Sequence, residues 1–137
     1  MNILRGIGAV ILGLIVAFLL VFGAEAISHQ IFPPPAGMDL RDMAQVKAFV
    51  ATLPMSVLLI VLAGHLIATF VGTWLAAKVA RSPIAAYVLG ALLLCAGIAN
   101  GFMIPQPAWF SIASFVIYLG ATWAGARVGM PARRSTA

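Results

Sequence analysis

The chain has 137 residues, 64% of them hydrophobic and 8% charged, with a net charge of +5. So little charge excludes an ordinary soluble domain, where about a quarter of residues are charged, and four membrane spans of roughly 20 residues use nearly the whole length. The bases sit at the ends of apolar runs rather than on one soluble face, so no nucleic-acid partner is expected. The lone Cys95 excludes an intrachain disulfide and a thiolate zinc cluster.

The first span is expected from about Ile3 to Ala26, and its helix can continue to Phe32, where Pro33 stops it. Arg5, the apolar run and Ala24-Glu25-Ala26 also fit a signal peptide with an A-x-A cleavage site, but the run from Ile7 to Ala24 exceeds a usual h-region of about 7–15 residues. Pro33-Pro34-Pro35-Ala36-Gly37 is a stiff connector. A short amphipathic surface helix is expected from Asp39 to Leu53, with Asp39 as its N-cap and Asp42 against the helix dipole. Its apolar face is Leu40, Met43, Val46, Val50 and Leu53; a cap packed over the bundle is the alternative.

The second span is expected from Pro54 to Ala77. Ser82-Pro83, an N-cap and a first-turn proline, opens a third span running to about Phe102. Met103-Ile104-Pro105-Gln106-Pro107 makes a turn. The fourth span runs from Ala108 to Ala126 and is ended by Gly129 and Pro131. Cys95, inside the third span, is expected as a small buried packing residue.

Two exits match. Gly72-Thr73-Trp74-Leu75-Ala76-Ala77-Lys78-Val79-Ala80 and Ala121-Thr122-Trp123-Ala124-Gly125-Ala126-Arg127-Val128-Gly129 each close an apolar run with an indole and, one turn later, a base. Trp74 and Trp123 are read as headgroup-level anchors, Lys78 and Arg127 as snorkelling cations. Proline-containing turns, Phe32–Ala36 and Ile104–Ala108, match at the other side. The chain is therefore read as two parallel-repeat hairpins, the first carrying the surface helix as an insertion. Arg5, Lys78, Arg81, Arg127, Arg133 and Arg134 fall on one side. Arg41 and Lys47 fall on the other, with Glu25, Asp39 and Asp42. The positive-inside rule then puts both termini in the cytoplasm.

Mostly small residues recur every four positions on the second span (Gly64, Ala68, Gly72, Ala76, Ala80), on the fourth (Ala113, Ile117, Ala121, Gly125, Gly129) and on the first (Ala9, Gly13, Ala17). Such rows let helix backbones approach closely. The longest marks a central contact, within one protomer or between two.

Few side chains can carry chemistry. His65 lies near mid-membrane, with Tyr118 at similar depth; an intramembrane ionisable group is a functional candidate by default, and a neutral histidine hydrogen-bonded to Tyr118, a threonine or a carbonyl is the structural alternative. Glu25 and His29 share a helix face but make only two ligands, too few for a firm metal site. With Asn100, Ser56 and Ser111 on the other spans, Glu25 is placed to line a small outer vestibule. No phosphate loop, serine elbow or HExxH motif is present, and no metal or cofactor is expected; a haem between His29 and His65 is disfavoured by their different depths.

Glu25-Ala-Ile-Ser-His29-Gln-Ile-Phe-Pro-Pro-Pro35, followed by the four-span organisation and Gly/Ala-rich exits, resembles small uncharacterised bacterial membrane proteins. The resemblance implies the fold and a bacterial inner membrane; it carries no activity and no site residues. The expectation is an all-α integral membrane four-helix bundle. It would be non-enzymatic and act through intramembrane contacts with itself or another membrane protein, as an accessory subunit or scaffold. The alternative is a small oligomeric transporter or channel using His65 and the outer polar residues; a metal- or haem-binding membrane protein comes third.

Overall fold

The computed structural model describes residues 2–131. Arg133 and Arg134, counted above among the inner bases, lie outside the described residues. The fold is all-α: α1 (Ile3–Ile31), α2 (Met43–Ala51), α3 (Met55–Ala80), α4 (Pro83–Met103) and α5 (Ala108–Gly129). α1, α3, α4 and α5 are long and apolar enough to cross a membrane. They pack as one bundle, and their outward faces carry exposed Ile11, Ile15, Leu19, Leu92, Ile112 and Val116, a surface suited to lipid rather than water.

Each boundary has a local cause. Asn2 caps α1, its side chain accepting from the Leu4 N–H. The helix ends at Ile31, with the Phe32 N–H donating to the Ser28 carbonyl, because Pro33 cannot continue the ladder. At 29 residues and roughly 1.5 Å each, α1 exceeds a hydrocarbon core of about 30 Å. Its last turns therefore reach interfacial depth. Ala24-Glu25-Ala26 lies within this helix, and Ala24 is seated against Gly64.

α2 is shorter than expected and starts later. Asp42, not Asp39, is its N-cap, accepting from the Ala44 and Gln45 N–H groups. Gln45, at the third helical position, donates from Nε2 to Asp42 Oδ2 at 3.0 Å and accepts from the Asp39 N–H at 3.1 Å through Oε1, fastening the cap to the turn before it. Asp39 instead folds the preceding turn, accepting from the Arg41 N–H at 2.9 Å. Of the apolar face, Val46 is buried, whereas Leu40 and Met43 are exposed. The segment is held by stacking of Phe49 on Phe32 and by Leu53 packing near Leu58 and Phe110.

α3 is the axis of the bundle. It buries eleven residues, against five on α1, five on α4 and seven on α5, and it packs on all three. Its row Gly64, Ala68, Gly72, Ala76 and Ala80 is buried along its whole length, as are Ala9, Gly13 and Ala17 of α1. A Cβ on Gly13 would stand 2.6 Å from the Gly72 carbonyl oxygen, and one on Gly72 would stand 2.9 Å from that of Gly13. The two backbones touch, so each residue must lack a side chain. The other side of α3 meets α5: Gly125 abuts the Thr73 hydroxyl and the backbone of Phe70 and Trp74. Thr73 Oγ1 donates to the Thr69 carbonyl at 2.7 Å and reaches the Ala121 carbonyl at 3.5 Å. Stabilisation here comes from dispersion between close backbones rather than expulsion of water. The small-residue rows are thus spent inside the protomer.

One end of the bundle gathers the bases. Arg5 Nε donates to the Val79 carbonyl at 2.6 Å, satisfying an orphan acceptor at the α3 C-terminus. Lys78 lies over the Trp74 ring at 4.8 Å and Arg127 over the Trp123 ring at 4.8 Å. The cations therefore fold back on their indoles instead of only reaching outward. α3 ends with Arg81 in the left-handed conformation (φ 54°), and Ser82 then caps α4 through the Ile84 N–H. Cys95 is exposed on α4, correcting the buried packing role expected for it: an apolar run does not reveal which of its faces meets lipid.

Candidate functional site

At the other end of the bundle the four long helices surround a cavity of about 250 Å³. α1 contributes Phe18, Phe22 and Glu25, α3 contributes His65 and Thr69, α4 contributes Leu93, Gly97 and Asn100, and α5 contributes Phe110, Ser114 and Tyr118; Gln106 of the α4–α5 turn closes the ring. A cavity of about 150 Å³ with an apolar lining can accept benzene, so this one has room for a small organic guest.

The bundle's construction accounts for its position. Near the basic end, glycines and alanines bring the backbones together. Towards the other end large rings occupy the interior. His65 stacks on Tyr118 (centroids 5.7 Å apart, 27° between planes) and meets Phe110 edge-on at 6.2 Å. Phe110, Ser114 and Tyr118 stand four apart on α5 and so share a helix face. No hydrogen bond joins His65 to Tyr118 among the described residues: the rings are face to face, and Nδ1 of His65 is buried without a partner. Ser114 Oγ is also buried and unpartnered, in a residue only 8% exposed. Buried polar groups are normally paired, and each exception requires an explanation.

Glu25, His65, Asn100 and Tyr118, singled out in the sequence, are brought to this one cavity. His29 is not: one turn beyond Glu25, it is exposed. Ser28 is buried and donates to the Glu25 carbonyl at 2.8 Å, so the outer turn of α1 is tied locally rather than opened toward a ligand. Ser56 is exposed and takes no part; equal depth did not place it on the inner face. Ser111 accepts from Gln106 Nε2 at 3.3 Å at the rim. Among the described residues no three His, Cys, Asp or Glu side chains are grouped to hold a metal.

Ser114, Phe110, Thr69 and Gln106 belong to the site and were not all singled out. Ser114 and Phe110 were legible in principle, at one and two turns before Tyr118. Gln106 was legible as the polar residue between Pro105 and Pro107. The charge of the cavity is one-sided: Glu25 is the only acidic residue in the four spans, and among the described residues no Lys or Arg lines the cavity.

Comparison with protein families, curated proteins and solved structures finds no match to this chain. Fold and cavity together define a multi-pass α-helical membrane protein with an interior hollow at one end.

Proposed function

We propose that this is a non-enzymatic protein of the bacterial inner membrane that receives a small ligand in the cavity between its helices, as the binding unit of an oligomeric transporter or of a larger membrane assembly. The carrying observation is the cavity itself: about 250 Å³ walled by all four long helices, with the Glu25 carboxylate in its lining and, among the described residues, no Lys or Arg there. His65 Nδ1 and Ser114 Oγ, buried without partners in residues that line the cavity, go with this reading, although Thr122 Oγ1 at the α4–α5 seam is left in the same state. The gathering of Arg5, Lys78, Arg81 and Arg127 at the opposite end supports an orientation with both termini cytoplasmic and the cavity facing outward. The matching Trp–base clamps support the reading of α1–α3 and α4–α5 as two copies of one hairpin.

A second reading, an accessory subunit or self-associating scaffold, is favoured by Ala91, Cys95 and Ala99, which leave a narrow exposed row on α4. The buried row on α3 gives it no support. Paired measurements on His65→Leu and Ser114→Ala in detergent separate the two. Under the ligand reading both variants fold with unchanged or raised stability and lose a small molecule that co-purifies with the parent, read by native mass spectrometry. Loss of stability in both, with no bound mass in the parent, overturns it.

A further inference from the structure

The cavity adjoins a second hollow. Between α4 and α5, on the lipid side, Leu94, Ile98, Phe102 and Phe115 line a groove of about 240 Å³. Gly97, Gln106, Ser114 and Tyr118 belong to both hollows. At Gly97 the partition is the Tyr118 ring: a Cβ on Gly97 would stand 2.6 Å from Tyr118 Cε2. The absence of a side chain on Gly97 is what lets the ring lie there. The groove walls Ile98, Phe102 and Phe115 are 46%, 86% and 46% exposed, so the groove is open to hydrocarbon.

The walls specify opposite ends of a guest. The one acidic group of the cavity lining is the Glu25 carboxylate; Thr69, Asn100, Gln106 and Tyr118 add polar groups that can donate or accept. No lysine or arginine neutralises the carboxylate there. A carboxylate in an apolar surround is strongly favoured by a cationic partner. Beyond the shared partition the groove offers hydrocarbon, with the Ser111 hydroxyl as its one further polar group.

We propose that the guest is an amphiphile with an ammonium head and a single hydrocarbon chain, that it arrives sideways from the lipid between α4 and α5, and that Tyr118 against Gly97 is the gate. This rests on the cavity being a ligand site. The head lies beside Glu25; the chain lies in the groove along Ile98 and Phe115.

The test uses the full chain in lipid nanodiscs and three diazirine-bearing photoprobes: a decylamine, a decanol and a short, water-soluble butylamine. Labelled residues are mapped by mass spectrometry. The decylamine is expected to label both cavity and groove walls, about tenfold more than the decanol, since a charge-assisted bond is worth about 1.5–3 kcal/mol. Glu25→Gln is expected to erase that preference. Ile98→Trp, which fills the groove and replaces no residue of the cavity lining, is expected to slow cavity labelling by the decylamine and to leave the butylamine unaffected. Equal labelling by amine and alcohol overturns the ammonium head. An Ile98→Trp variant that labels at the parent rate overturns the lateral route. Cavity labelling by none of the probes overturns the ligand site itself.

Discussion

Replacing Gly125 by alanine tests the backbone contact on which the bundle depends. A methyl there would stand 2.9 Å from the Phe70 carbonyl oxygen and 2.9 Å from the Trp74 amide nitrogen, with the Thr73 hydroxyl closer still. The first two are main-chain atoms and cannot swing aside. Ordinary contact begins near 3.4 Å, so α5 must retreat from α3 by about half an ångström. Tilting gives no relief, because Gly129 one turn on is equally close, its Cβ position being 2.6 Å from the Trp74 carbonyl oxygen. A gap of 0.5–1 Å forfeits about a quarter to a half of each dispersion well, and overpacking of this kind costs about 1–3 kcal/mol. Alanine's better helix propensity returns at most about 1 kcal/mol. The expected net loss is about 2 kcal/mol. Gly120→Ala is the internal control: on the same helix, its Cβ meets nothing within 4 Å, and it is expected to be neutral or slightly stabilising. Reversible unfolding in mixed micelles, followed by tryptophan fluorescence, measures both. A Gly125→Ala protein as stable as Gly120→Ala would refute the close-contact argument.

Three further outcomes are expected. Arg81→Gly should raise stability by about 1 kcal/mol, because a left-handed residue costs roughly 1–2 kcal/mol unless it is glycine; a lower melting temperature counts against this account of the α3–α4 joint. Trp123→Leu should lose about 0.5–1 kcal/mol with the Arg127 contact, and a further Arg127→Gln change should then cost little, so additive losses in a double-mutant cycle would contradict the clamp. The Gln45 side chain, and then the Ala44 and Gln45 N–H groups, hold the Asp42 carboxyl below its ordinary range. A lowered value means that the cap contributes fully above about pH 3.9 and is lost as pH falls through the lowered value. Amide protection at Ala44 and Gln45, taken relative to the intrinsic exchange rate at each pH, should fall over that acid interval in the parent and stay constant in Asp42→Asn; a parent whose protection does not change would rule the cap out.

The spans were legible because a bilayer demands long uncharged helices, and Ser82-Pro83, Pro33 and Gly129 mark ends by steric rules that need no tertiary information. The glycine–alanine row of α3 was equally plain as a period of four, but whether it met its own chain or another copy depended on chain path, which periodicity does not carry. The start of α2 was misplaced because Asp39 and Asp42 are both good caps; the reciprocal bond from Gln45 chose between them. At the cavity, depth could be counted from each helix end, which brought Glu25, His65, Asn100 and Tyr118 to notice. Rotation about the helix axis could not be counted, and it is rotation that separates Ser114, aimed inward, from Ser56 and Cys95, which face out.

The bond from Arg5 to Val79 and the seating of Gly13 on Gly72 join segments made far apart in time. Synthesis runs from the N-terminus, so α1 is complete before Gly72 is made. Until Gly72 emerges, the ridge Gly6, Ala9, Gly13 and Ala17 has nothing of its own chain to lean on. A truncated product lacking α3 would therefore show a bare, close-docking ridge to every other helix nearby, and cells would be expected to shield it with an insertase or destroy it with a membrane protease.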